Sequence, residues 1–225
     1  MKYFTGLTLS LAALACQAQS YCASDGQPAP AALVERFINA DCASCWGDVR
    51  TPKPGRGELA LDWIVPVARG DEAVLSAAAS RDSLARLETL RRQIPASADT
   101  LTTRSRPAGQ RLRVSHGLPF NGYLGTSIEL KPARGGPWNA WLLLVETIPA
   151  GSEGTPVERN LVRNALQVEW DARQPGTKEL YEARPMAIPE GARPERLRVV
   201  GWVESADGLL AAIAASRCKP ERKQP

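Results

Sequence analysis

Leu33-Val34-Glu35-Arg36-Phe37-Ile38, followed by Asp41-Cys42-Ala43-Ser44-Cys45, is the stretch on which the reading of this 225-residue chain turns. A run that reads as a buried strand gives way to two cysteines separated by two residues. Thiols so spaced can close a small disulfide ring, and the free N–H groups at a helix start favour a thiolate there. The arrangement predicts a CxxC redox-active centre in which Cys42 attacks and Cys45 resolves the mixed disulfide. The competing reading is an inert staple, since an oxidising compartment closes any accessible pair and keeps it closed. Metal is not expected at this pair. The single histidine, His116, falls outside any ligand-spaced group, and a two-cysteine zinc site needs two more donors.

The start of the chain sets the compartment. Met1-Lys2, the apolar run from Leu7 to Ala15 and the small residues of Cys16-Gln17-Ala18-Gln19-Ser20 read as a signal peptide over residues 1–20. The protein is therefore expected to be periplasmic or secreted. Ala13-Leu14-Ala15-Cys16 also ends in the small residue plus cysteine of lipoprotein processing, but it lacks Leu three places before the cysteine, so a lipid anchor on Cys16 is the weaker expectation. Nothing later approaches ~18 uninterrupted apolar residues, and no membrane span is expected. Removing the signal leaves Cys22, Cys42, Cys45 and Cys218, an even set. The simplest of the three connectivities pairs Cys42 with Cys45 and Cys22 with Cys218. The long bridge would be structural, tying the chain ends and stabilising the fold by ~4 kcal/mol in the chain-entropy picture.

Composition excludes several classes. Hydrophobic residues make up 44% of the chain, as in a globular protein, and the formal net charge is +4. The arginines are dispersed, as in Arg104, Arg106, Arg111 and Arg113, without the interleaved aromatics of a nucleic-acid groove. No GxxxxGK[ST] or GxGxxG loop occurs, so nucleotide chemistry is unsupported and no organic cofactor is expected. Ser115 and His116 are neighbours on a strand and point to opposite faces, so they cannot act as a catalytic pair. Trp46, Trp63 and Trp141 are expected in the core or at an interface.

Along the chain, Leu33–Ile38 and Glu58–Val65 read as buried strands, while Asp71–Ala79 and Ser80–Ile94 read as helical, the latter capped by Asp82 or Ser83 and ended by Pro95. Leu84, Leu87, Leu90 and Ile94 recur on one helical face. This strand and helix alternation predicts parallel pairing in an α/β layer. From Gln110 the period changes to short strands, at 111–115, 126–130, 138–147, 164–170, 178–188, 197–205 and 209–216. Ala206-Asp207-Gly208 reads as the corner of the last hairpin.

These residues resemble a family. Val34-Glu35-Arg36-Phe37-Ile38 with Asp41-Cys42-Ala43-Ser44-Cys45 is similar to the opening of the DUF1223 proteins, secreted thioredoxin-like proteins of unknown function. Leu59–Val65, Arg159-Asn160-Leu161-Val162-Arg163 and the stretch from Trp202 to Ala214 look like later segments of that family. The resemblance implies a thioredoxin-like N-terminal and a β-rich C-terminal domain, which with the strand and helix pattern gives the expected fold class α/β plus β: a shortened thioredoxin-like domain at 30–125 and an antiparallel β-sandwich-like domain at 126–217, followed by a tail at 218–225 that the residues themselves mark as flexible. The resemblance names no substrate, so protein thiols or disulfides are expected as partners from the cysteine pair itself; it does imply a cis-proline beside the cysteines, for which Pro119 in Leu118-Pro119-Phe120-Asn121-Gly122 is the candidate. Asn160 and Arg163, which match the family segment, are candidates for a polar interface, with a structural use the stronger expectation. The chain departs from the family after Cys45, where Pro52-Lys53-Pro54-Gly55 leaves room for about two helical turns.

Overall fold

The structure, a computed structural model, describes residues 22–107, 109–173 and 177–218. The expectations of a signal segment over residues 1–20, of an anchor on Cys16 and of a flexible tail after Cys218 fall on residues outside those described. In chain order the elements are β1 (Cys22–Ala23), β2 (Ala32–Asn39), α1 (Ala43–Trp46), β3 (Glu58–Val65), α2 (Arg81–Thr89), β4 (Ala98–Arg104), β5 (Arg111–His116) and β6 (Tyr123–Lys131). They continue with β7 (Trp138–Ile148), β8 (Arg159–Trp170), β9 (Leu180–Ala187), β10 (Leu197–Ser205), β11 (Leu210–Ala215) and β12 (Arg217–Cys218).

Two sheets result. One has the order β11-β10-β7-β8-β3-β2-β4, the other β12-β1-β5-β6-β9, and each takes strands from both sides of residue 125. Between strands, parallel pairing among the described residues joins β2 to β3, in register from Ala32 opposite Glu58 to Asn39 opposite Val65, and β3 to β8 at one residue pair, while Ile64 of β3 also makes an isolated parallel bridge to Ala79. The other strand-to-strand pairings among the described residues are antiparallel.

This mostly β architecture corrects the expected fold class: the N-terminal part is not a thioredoxin-like α/β layer. The reasons are local. α1 is a single turn because Gly47 ends it and Pro52 and Pro54 bar its continuation, so the crossover from β2 to β3 carries no helix long enough to cover a sheet face. The expected helix over Asp71–Ala79 breaks into 3₁₀ turns at Gly70–Glu72 and Ser76–Ala78, separated by extended Ala73. Single backbone bonds from Leu75 to Ala40 and from Ser80 to Ile64 tie that segment to the ends of β2 and β3 instead. On its other side, away from β3, β2 is paired by β4, which runs antiparallel to it.

α2 is capped by Ser80, whose hydroxyl accepts from the Asp82 N–H at 3.0 Å, rather than by Asp82 or Ser83. Asp82 faces the sheet and accepts from the Ala165 N–H on β8 at 2.9 Å. Leu84, Leu87 and Leu90 pack on the core, but the helix stops at Thr89 and Ile94 is exposed.

The two sheets pack face to face through Leu112, Val114, Ile128 and Leu130 on one side and Leu142, Leu144, Val199 and Val203 on the other. Where β10 crosses β5 and β6, Gly201 leaves no room: a Cβ there would stand 2.7 Å from Val114 Cγ1 and 2.9 Å from Ile128 Cδ1. The Ala206-Asp207-Gly208 corner joins β10 to β11, with Gly208 at a φ of +81°. The Cys22–Cys218 disulfide is closed and fastens β12 to β1, across a sequence separation of 196. No helix among the described residues is long and apolar enough to cross a membrane.

Candidate functional site

β2 delivers the cysteine pair. The chain leaves the strand at Asn39, and the Cys42 carbonyl accepts from the Cys45 N–H at 3.0 Å to start the single turn of α1. The Cys42–Cys45 disulfide is closed and both residues are half-buried. Cys45 leans on the apolar cluster of Ile38, Ala40 and Ile64, whereas Cys42 Sγ lies 3.5 Å from the hydroxyl of exposed Ser44. Together with Arg36, Asp48 and Arg159, the pair lines an open cleft of about 570 Å³. Trp46 does not line this cleft, and its Nε1 donates to the Glu153 carbonyl at 2.8 Å.

Beneath the pair lies a buried ion cluster. The register of β2 and β3 sets Arg36 opposite Asp62, and Arg36 Nη2 donates to Asp62 Oδ2 at 2.5 Å. Arg159 at the start of β8 donates to Asp62 Oδ1 at 3.0 Å, and the Asn160 N–H donates to Asp62 Oδ2 at 2.9 Å. Arg159 Nη2 also reaches up to α1 and its following loop, donating to the carbonyls of Cys45 at 3.2 Å and Trp46 at 2.7 Å and to Thr51 Oγ1 at 2.9 Å. Arg36, Asp62 and Arg159 are each no more than 2% exposed. Burial lowers the Arg159 pKa from its ordinary value, against the pull of Asp62 that raises it.

The charge count of this cluster matters for sulfur chemistry. Two guanidinium groups share one carboxylate, so the cluster under the disulfide carries one positive charge that no partner within it cancels. A thiolate released in the cleft is attracted to that charge. The helix-start stabilisation expected from the sequence is correspondingly small, because α1 has four residues and little dipole to offer. The two carboxylates beside the pair, whose charge disfavours a thiolate, are both paired at the surface, Asp41 with Arg69 at 3.4 Å and Asp48 with Arg50 at 3.0 Å. Hydrogen bonds from Arg50 hold the Asp48 carboxyl below the usual carboxylate range.

Other candidates fall elsewhere. Pro119 sits in the turn between β5 and β6, away from the cleft. The cis peptide bonds among the described residues are Lys131–Pro132 and Gly136–Pro137, not Leu118–Pro119. The following Asn121 and Gly122, at φ of +48° and +75°, make an ordinary tight hairpin turn. Trp63 and Trp141 are core residues, 1% exposed. Asn160 stitches β8 to β3, its Nδ2 donating to the Ala60 carbonyl at 3.0 Å, and Arg163 Nη2 pairs with buried Glu146 at 2.6 Å. His116 is buried, and burial pushes its imidazole pKa down. It lies beside the Cys22–Cys218 bridge, a neighbourhood invisible in its sequence spacing.

The residues that sequence reading missed are the charges inside apolar strands. Arg36 and Asp62 interrupt two runs that otherwise read as buried, and that interruption was the available signal. Glu35 behaves alike: with Glu204 it clasps Arg86 of α2, at 2.8 Å and 2.7 Å, under the stacked rings of Trp141 and Trp202. Compared with known proteins, the chain matches no family model, no curated protein and no solved structure.

Proposed function

We propose that this is an exported protein that performs thiol–disulfide exchange through Cys42 and Cys45. The observation that carries the proposal is a closed, half-buried disulfide on the wall of an open cleft, seated over a cluster with an excess positive charge. In the oxidised form, a partner's thiolate attacks Cys42 Sγ, the S–S bond breaks and Cys45 leaves as the thiolate. A second thiolate of the partner then attacks the partner's own sulfur in the mixed disulfide and releases Cys42. The partner dithiol has lost two electrons as its new disulfide forms, and the chain has gained them as two thiols. Run in reverse, the reduced chain oxidises itself on a partner disulfide, with Cys42 attacking and Cys45 resolving.

Cys42 is the sulfur open to attack in this scheme because Cys45 leans on apolar neighbours while Cys42 stands beside exposed Ser44. The two disulfides are compatible with an oxidising compartment, and the apolar segment at the chain start supports a periplasmic or secreted site of action. The likeness to the DUF1223 proteins belongs to the same proposal, without the fold it implied.

One observation favours a second reading, a binding or scaffolding protein that keeps the pair as a staple. Arg159 pins the Cys45 and Trp46 carbonyls, so the turn has little freedom to open. Two measurements separate the readings. Exchange predicts that Cys45→Ala accumulates a mixed disulfide on Cys42 when exposed to a model dithiol–disulfide couple. It also predicts a reduction potential above about −300 mV, the upper bound typical of structural disulfides. No trapped adduct and a potential far below that bound would leave the staple.

A further inference from the structure

Three ligand-type side chains far apart in sequence meet at the edge of the five-stranded sheet. Cys22 of β1 is opposite Cys218 of β12 on one side and opposite His116 of β5 on the other, so the three side chains share one face. Both sulfurs and a ring nitrogen of His116 lie within 4.8 Å of one another. His116 is 5% exposed. Its Nδ1 is 2.9 Å from the Gly117 carbonyl, which can only accept, so Nδ1 carries the proton and Nε2 carries a lone pair. That buried Nε2 has no hydrogen-bond partner among the described residues. An unsatisfied buried acceptor is unfavourable unless something else uses it.

We propose that Cys22, Cys218 and His116 form a redox-gated site for a thiophilic divalent cation of the zinc class. In the oxidised chain the disulfide withholds both sulfurs from a metal. A dithiol reductant opens the site: its thiolate attacks one sulfur, the Cys22–Cys218 bond breaks, and its second thiol resolves the mixed disulfide. The reductant leaves as a disulfide, two electrons poorer, and the chain holds two thiols. A Zn²⁺ ion then binds both sulfurs as thiolates, releasing two protons to solvent, and takes the lone pair of His116 Nε2 as its third ligand. Water completes the tetrahedron.

The surroundings suit this role. A metal-binding histidine characteristically donates its other ring N–H to a carbonyl or carboxylate, which fixes the ring, and Nδ1 to Gly117 does so before any ion arrives. A tetrahedral ion with Zn–S bonds of about 2.3 Å holds its sulfurs about 3.8 Å apart, so the cysteines must separate on reduction. Cys218 can supply the movement, since it is exposed and lies on a two-residue outer strand, while Cys22 and His116 stay fixed in the sheet. The Cys42–Cys45 pair has no such third donor among the described residues.

The test uses the full chain carrying Cys16→Ser, Cys42→Ser and Cys45→Ser, so that Cys22 and Cys218 are the only thiols. Co²⁺ serves as the spectroscopic probe and Zn²⁺ as its competitor. After phosphine reduction, the chain is expected to bind one Co²⁺ with a thiolate-to-cobalt charge-transfer band that Zn²⁺ abolishes. The oxidised chain should show no band. Adding His116→Ala should weaken Zn²⁺ binding by about tenfold or more. Near-UV circular dichroism of the buried tryptophans is followed in every sample. The proposal is overturned by a reduced chain that binds no Co²⁺, by equal binding in the oxidised chain, by an affinity unchanged in His116→Ala, or by binding seen only when the tryptophan signal is lost.

Discussion

Arg159 donates to the main-chain oxygen of Trp46 at 2.7 Å while its guanidinium carbon stands 5.0 Å from the Trp46 ring centre. One buried side chain from β8 therefore holds both the backbone and the ring of the residue that follows Cys45. Through Asp62 it also reaches Arg36 in β2, so the cysteine turn is fixed to two strands at once. Removing Arg159 takes away the positive charge nearest the carbonyls of α1. In reduced Arg159→Leu, alkylation of Cys42 by iodoacetamide near neutral pH should slow roughly fivefold, corresponding to ~1 kcal/mol of lost attraction for the thiolate. An unchanged rate would show that the buried cation does not act on the sulfurs.

The same cluster predicts an order of stabilities. Asp62→Ala strands two guanidinium groups in the interior with no carboxylate between them, and it also removes the acceptor for the Asn160 N–H. The expected loss is about 3–5 kcal/mol in urea unfolding. Arg159→Leu leaves Asp62 still paired with Arg36, so its loss should be smaller. The reverse order would mean that Arg159 contributes mainly through its bonds to α1 and Thr51.

How much of this was legible in the sequence depends on where each strand gets its partners. Glu58–Val65 and Leu197–Ser205 keep the bounds that the sequence predicts, because mostly apolar and β-branched runs, broken only by single polar or glycine positions, lie between turn residues. β4 was missed. Its Ala-Asp-Thr-Leu-Thr-Thr-Arg has one strong apolar residue, since it is an edge strand whose residues alternate between half-buried and exposed. The α/β expectation failed at the connections: 12 residues before β3, the run that begins at Trp46 holds too many glycines and prolines for a crossover helix. At the site, Cys42 and Cys45 announced themselves by spacing. Arg159, 97 residues from Asp62, became a neighbour only through the joining of β8 to β3.

The two disulfides should differ in what they add to stability. The Cys22–Cys218 bridge closes nearly the whole described chain, whereas Cys42–Cys45 spans a sequence separation of 3. In the chain-entropy picture the long bridge stabilises by about 4–5 kcal/mol and the short one by about 2 kcal/mol. Cys22→Ser with Cys218→Ser should therefore lower the unfolding free energy by the larger amount, and Cys42→Ser with Cys45→Ser by the smaller. Equal losses in denaturant titrations would argue that the short pair is a structural staple after all.

Gly201 offers the most local test of the fold. Its position on β10 faces β5 and β6 so closely that an added Cβ meets Val114 Cγ1 at 2.7 Å, Ile128 Cδ1 at 2.9 Å and the Trp141 carbonyl oxygen at 3.1 Å. The two side-chain tips can give way, but the carbonyl belongs to the β7 ladder and cannot move without disturbing its pairing with β10. Gly201→Ala should cost about 1–3 kcal/mol through overpacking. Val114→Ala by itself should also destabilise, by leaving a void between the sheets. Combined, the two changes should cost less than their sum, because trimming Val114 clears the nearest obstruction. Strict additivity in the double mutant would show that Gly201 is needed for its backbone rather than for the close approach of the two sheets.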